Sequence, residues 1–238
     1  MKVKSPELFI GHSHEDMRFI NYLEKHLSIF GIKSFVAHRD ITPSKKWEKE
    51  IINAMKKCDC FVPVLSKNFK NSETRWPDHE VGMAKVLNKF VYPISLEEVV
   101  PYGVIASLQP NRISNPDSKD ELQPLVKHLC EELMDRKILK KAWVVKSFSE
   151  SKNFEEGNQR CLLLEYADKK RLLKSYDPSE IVKAALNNNQ ILNPDWSTTS
   201  AEYVLKLRSK HSKEIGKKLL AKLDERIKSL SWRKGGAE

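Results

Sequence analysis

The chain has few cysteines, and none falls in a pattern that would fix a structure. Cys58, Cys60, Cys130 and Cys161 give one C-x-C pair and two isolated thiols, which is neither a disulfide framework nor the paired spacing of a zinc site. Cys58 and Cys60 fall on one strand-like run, so both point the same way and read as small packing residues. This usage fits a reducing compartment, and a cytoplasmic location is expected. Long apolar runs are also missing: no uninterrupted segment is long enough to cross a bilayer. Met1-Lys2-Val3-Lys4-Ser5-Pro6 leads into a strand-like run without an apolar signal region. A soluble protein with no membrane partner is expected. No internal repeat or low-complexity tract is visible, and acids are in deficit, 42 Lys and Arg against 32 Asp and Glu leaving a net charge of +10. That balance suits an anionic partner, yet no nucleic-acid motif accompanies it. Much of the excess lies near the C-terminus, where Lys206, Arg208, Lys210, Lys213, Lys217, Lys218, Lys222, Arg226, Lys228, Arg233 and Lys234 read as the solvated face of a last helix with Ile215, Leu219, Leu223, Ile227 and Leu230 in line. Nucleic acid is therefore not the expected partner.

What is present is a globular composition, 238 residues with 40% hydrophobic content, enough for one ordinary core plus a second small domain. Residues 8–140 alternate short strand-like runs with amphipathic helices, which implies an α/β parallel sheet covered on both faces. Leu8-Phe9-Ile10 opens it. Asp16 is placed to cap a helix with Phe19, Leu23, Leu27 and Phe30 on one face, and Gly31 is a natural stop. Ile32 to Ala37 reads as the second strand, His38 to Lys46 as a polar loop, and Trp47 to Lys57 as a helix. Cys58 to Leu65 reads as the third strand and Ser66 to Arg75 as a loop. Phe90 to Leu96 reads as the fourth strand, and Arg112-Ile113 marks a short fifth. Ser118-Lys119-Asp120-Glu121 is a capping-box sequence opening a helix with Leu122, Leu125, Val126 and Leu129. Beyond about residue 141 no convincing strand appears, and the remainder to residue 238 reads as a small all-helical domain. Asp177-Pro178-Ser179-Glu180 opens one of its helices and Thr199-Ser200-Ala201-Glu202 the last.

Between the third and fourth strands, Trp76-Pro77-Asp78-His79-Glu80-Val81-Gly82-Met83-Ala84 opens a helix, proline being tolerated in the first turn. Met83, Ala84 and Leu87 lie three, four and seven residues beyond Glu80, so an acid heads the inward stripe. Such an acid is costly unless something answers it. It complements the positive helix N-terminus, pairs with a nearby base or serves a site.

Taken together, these segments resemble a TIR domain, the Toll/interleukin-1 receptor fold, and particularly its microbial NAD-cleaving members. The resemblance rests on Phe9-Ile10-Gly11-His12-Ser13-His14-Glu15-Asp16, on Arg39-Asp40-Ile41-Thr42-Pro43-Ser44-Lys45-Lys46-Trp47-Glu48-Lys49-Glu50-Ile51, on Phe61-Val62-Pro63-Val64-Leu65-Ser66 and on Trp76-Pro77-Asp78-His79-Glu80. Gly11 stands where a serine is common, and Ser13-His14 where some relatives carry basic residues. The resemblance implies a flavodoxin-like five-stranded parallel sheet with helices on both faces over residues 1–140, followed by the helical domain over 141–238. It also implies cleavage of the nicotinamide–ribose bond of NAD, with Glu80 as the ionised catalytic acid. Gly11, Ser13, His14, Arg39, Lys45, Trp47 and Trp76 would then be NAD-binding residues at the carboxyl ends of the strands. NAD would be the substrate, with no cofactor or metal. Assembly would run through the TIR loops into a homo-oligomer, and the helical domain would sense an activating protein or ligand or support oligomerisation. Cyclisation to a cyclic ADP-ribose signal and a non-catalytic adaptor role are the alternatives.

Three further motifs lack context. His38-Arg39-Asp40 has Lys45 where a kinase catalytic loop needs asparagine, and no Gly-rich loop precedes it. His12-x-His14 has no third metal ligand, and Ser66 has no nucleophile elbow around it.

Overall fold

A computed structural model describes residues 4–36, 47–70, 76–96, 99–170, 177–192 and 198–231, without the side chains of Trp47, Lys70, Trp76, Pro77, Thr198 and Ser231. The chain forms two compact units, Ser5–Glu132 and the residues from Leu133 onward.

The first unit is built on parallel strands β1 (Glu7–Gly11), β2 (Lys33–Val36), β3 (Cys60–Leu65), β4 (Phe90–Val91), β5 (Ile94–Ser95) and β6 (Asn111–Arg112), in the order β2-β1-β3-β5-β6 with β4 also on β3. β4 and β5 are the two halves of the expected fourth strand, so the sheet has about five strands in flavodoxin-like order 2-1-3-4-5. The break has its cause in the neighbouring β3. Tyr92 N donates to Phe61 O at 2.9 Å and Leu96 N to Leu65 O at 3.0 Å, so the alternate residues of β3 face this strand. Pro63, in the same register, has no N–H to donate there. The third strand also begins at Cys60 rather than Cys58. Cys58 closes the preceding helix, its N–H donating to Ala54 O at 2.8 Å and its thiol to Met55 O at 3.1 Å.

The helices of this unit are α1 (Met17–Ile29), α2 (Trp47–Lys57), α3 (Lys67–Lys70), α4 (Trp76–Val86) and α5 (Lys119–Asp135). α1 stops as its sequence predicts. Gly31, at φ +75°, donates to Ser28 O and Ile32 donates to Leu27 O, a Schellman closure that needs the left-handed glycine. On one face of the sheet Phe9, Phe61 and Leu65 form a core with Ile51 and Met55 of α2 and Val81 and Ala84 of α4. α5 lies along the fourth strand, where Tyr92 Oη is 2.8 Å from His128 Nδ1.

Four local expectations are corrected. Asp16 precedes α1 without a side-chain cap; its carboxylate instead accepts from Ser66 Oγ at 2.6 Å and Asn68 Nδ2 at 3.3 Å. The loop after β3 contains α3, started by Ser66, whose Oγ accepts from Phe69 N at 3.0 Å. Glu121 reaches past Ser118 to the N–H groups of Ser114 and Asn115, at 2.7 and 3.2 Å, so the capping box is not formed as read. Leu87 is exposed, because α4 ends at Val86 and Asn88 turns the chain at φ +50°.

The second unit is helical: α6 (Lys141–Ser149), α7 (Phe154–Lys169), α8 (Pro178–Asn187), α9 (Thr198–Lys210), α10 (Ser212–Ile215) and α11 (Lys217–Ser231). Asp177 caps α8 by accepting from Ser179 N at 2.9 Å, with Pro178 in the first turn. The long basic helix read from the sequence is three helices. Gly216, at φ +82°, separates α10 from α11. Asn188 ties the end of α8 to the turn between α6 and α7, donating to Ser149 O at 3.0 Å and Ser151 O at 2.9 Å. No described helix is long and apolar enough to cross a membrane.

Candidate functional site

The carboxyl end of β1 meets an acidic side chain, Glu80. β1 alternates so that Phe9 and Gly11 face α2 and α4, while Leu8 and Ile10 face the opposite layer. α4 begins at Trp76, and its fifth residue, Glu80, lies on the helix face that also carries the buried Val81 and Ala84. Its carboxyl therefore packs inward, against the end of β1. Glu80 is 6% exposed, and among the described residues no hydrogen bond or ion pair reaches it.

Burial alone raises its pKa to about 8. The expectation of an ionised acid favoured by the helix N-terminus is thus reversed in the free protein. The helix end acts over about the first turn and contributes up to about 1 kcal/mol at ordinary sites. Removing a carboxylate from water at a nearly closed site costs more than that.

The other expected site residues fall in three groups. Gly11 and Ser13 are at the end of β1 and buried, with Ser13 Oγ donating to Glu15 and thereby engaged beside the strand end. His14 is exposed in the helical turn that follows. Trp47 and Trp76 open α2 and α4, but their side chains are outside the described residues, as are Arg39 and Lys45. Of the two histidines in His12-x-His14, His12 is buried and His14 is not. Among the described residues no group of three metal-capable side chains forms.

Two features were missed in the sequence. One is the bridge from Asp16 to Ser66 and Asn68, which ties the turn after β1 to the segment after β3; its only trace is a set of polar residues directly following two apolar strands. The other is a cavity of about 240 Å³ lined by Asp78, Val81, Gly82, Tyr102, Gly103, Val104 and Ile105. Burial and a hydrogen bond with Asp78 push the Tyr102 phenol up to about 12. The cavity has none of the expected NAD-wall residues and is too small for a dinucleotide.

A parallel sheet of order 2-1-3-4-5 with helices on both faces and a buried acid at the carboxyl ends of its strands defines a flavodoxin-like α/β domain. The chain belongs to the TIR domain family, which it matches over residues 8–130. TIR domains include NAD-cleaving enzymes, cyclases and adaptors, and they self-associate. Among solved structures, the TIR domain of the Toll-related receptor TRR-2 from Hydra magnipapillata is 21% identical, covering 53% of this chain and 97% of that one with a TM-score of 0.45. The TIR domains of the activated Roq1 resistosome, which directly recognizes the pathogen effector XopQ, are 16% identical over 54% of this chain and 99% of that one, with a TM-score of 0.43. No curated protein matches the chain.

Proposed function

We propose that this TIR protein is an NAD glycohydrolase of the microbial type, with Glu80 as its catalytic acid. The observation that carries the reading is the placement of Glu80: a carboxyl nearly closed off from water, unpaired among the described residues, at the ligand-binding end of an open α/β sheet. Structural acids in such positions are normally paired. Nicotinamide in NAD is already a cationic leaving group, so cleavage of the N-glycosidic bond needs no general acid. Positive charge develops on the ribose as the bond breaks, and a fixed carboxylate answers that charge, which is why one acid suffices where ordinary glycosidases use two.

The free protein holds Glu80 neutral at pH 7, and the ionised form is the one that stabilises an oxocarbenium-like state. A bound cationic nicotinamide riboside favours the charged form, so binding releases a proton. The kcat/KM for NAD is expected to rise with pH through an apparent pKa of about 8. Gly11, Ser13 and His14 after β1 and Trp47 and Trp76 at the helix starts form the walls in this reading, with Arg39 and Lys45 on the pyrophosphate. The loop from Arg39 to Lys46 mediates homo-oligomeric assembly that activates the enzyme. The helical unit receives an activating protein or ligand or supports assembly, as suits a cytoplasmic immune or anti-phage effector.

The test is incubation of concentrated protein with NAD, following nicotinamide by chromatography, beside Glu80→Gln. Turnover is expected to fall at least about a hundredfold in the variant, the scale of removing one group that answers transition-state charge, with the fold intact. Equal turnover in the two proteins rejects the reading. The same chromatogram separates linear ADP-ribose, the expected product, from the cyclic product of a cyclase. Absence of any turnover in the assembled protein leaves the adaptor role.

A further inference from the structure

The Glu80 carboxyl occupies volume that a side chain at position 11 would fill. A Cβ on Gly11 would stand 2.7 Å from Glu80 Oε2 and 2.8 Å from both Cε2 and Cζ of Phe61, closer than real Cβ atoms come to a neighbour. The backbone of Gly11 lies outside the left-handed region, so conformation does not demand glycine there. What glycine supplies is space. We propose that Gly11 is a positioning residue for Glu80: its missing side chain forms the seat in which the carboxyl is held beneath the end of β1, with the Phe61 ring as the other wall.

This deepens the reading of Glu80 as the catalytic acid and rests on it, but it assigns Gly11 a role distinct from a substrate wall. Any larger residue at 11 must drive the carboxyl outward toward water, displace the Phe61 ring, or both. The seat explains why the acid is nearly closed off although it sits just past the first turn of its helix. Among the described residues, the charged and titratable groups nearest in the fold are Asp78 and His79 on its own helix, both exposed, and, on the neighbouring elements, His12 after β1, Glu50 on α2 and Tyr102 beyond β5. None of them contributes to its raised pKa, which has burial as its one cause.

The experiment is titration of the Glu80 carboxyl by carbon-13 NMR in the full chain, assigned with Glu80→Gln and repeated in Gly11→Ala. The native carboxyl is expected to titrate near pH 8, and in Gly11→Ala at least about one pH unit lower, as the group regains water. The pH profile of nicotinamide release should move down by the same amount. An unchanged titration in folded Gly11→Ala overturns the proposal, and so does a native carboxyl titrating in the ordinary range. Because the added methyl also meets Phe61, Gly11→Ala/Phe61→Leu serves as a companion in which the same downward shift is expected. If the native protein releases no nicotinamide while the titration still depends on position 11, the enzymatic reading fails and the seat stands.

Discussion

Two charged side chain types are buried to the same 6% exposure, Glu80 in the sheet unit and Arg160 in the helical unit, and the chain treats them in opposite ways. Arg160 is answered: its Nη2 lies 2.8 Å from Glu156 Oε2 and its Nη1 donates to Ser147 O at 2.6 Å. Burial lowers its pKa while the Glu156 and Glu150 charges raise it. Glu80 receives no such compensation from the described residues, and burial raises its pKa. An unpaired buried carboxyl costs several kcal/mol in its charged form, so a fold under selection for stability alone would pair it or replace it. The contrast makes Arg160 part of the scaffold, while the proposed catalytic role gives position 80 a reason to keep its acid. Net charge divides the same way. From Leu133 onward 23 Lys and Arg stand against 14 Asp and Glu, so nine of the ten net positive charges lie there. The sheet unit, which holds the candidate site, is nearly neutral.

Variants in each unit are expected to respond differently. The largest stability effect is expected from Arg160→Met, which removes the charge that answers Glu156 and one donor from the Ser147 carbonyl, leaving the Lys152 amide and Asn153 side chain to the first and the Glu150 amide to the second. We expect a loss of about 3 kcal/mol, seen by amide hydrogen exchange as lost protection in α6 and α7. Equal loss of protection in β1 and β3 would show that the units do not respond separately.

Glu80→Gln tests the other side. The folded pKa of about 8 lies above the ordinary value of 4.5, so the folded state binds more protons between those limits. The contribution of Glu80 to stability is therefore fully present below about pH 4.5 and is lost as pH rises through about 8. Relative to Glu80→Gln, the native protein should lose about 2 kcal/mol between pH 5.5 and 7.5, read by urea denaturation at each pH. Parallel stability curves for the two proteins would mean that Glu80 is solvated or paired, and the contrast with Arg160 would vanish.

The smallest effect is expected at Asp177→Ala, which removes the cap of α8 without touching a buried charge. A loss of about 1 kcal/mol is expected from thermal unfolding, with the Glu80 titration unmoved.

The elements were legible where the cause was local. Gly31 ends α1 and Asp177-Pro178 starts α8 as their sequences say, because a left-handed glycine and an N-cap act within one turn of chain. The parallel sheet with helices on both faces is readable from the alternation of short apolar runs and amphipathic helices, and its flavodoxin-like order from the family resemblance. Legibility failed where a side chain had a choice of partners. Asp16 and Glu121 both have capping chemistry, yet each finds other donors, Ser66 and Asn68 for one and the amides of Ser114 and Asn115 for the other. The split of the fourth strand was hidden because its cause, Pro63, lies on a different strand. At the site, the helix carrying Glu80 and the inward aim of that residue were readable, but its proton state was not, since helix-end electrostatics is written locally and desolvation is not.

The succession of strands and helices, the family and the acid on the inward stripe of α4 are all written in the chain, because periodicity, caps and motifs are properties of neighbouring residues. The packing of distant segments supplies the rest: it closes the Glu80 carboxyl off from water and so raises its pKa, leaves it unpaired among the described residues and brings it against Gly11. Position 11, Phe61 and position 80 come from three separate elements, and the water a carboxyl keeps or loses depends on how closely such distant segments pack around it.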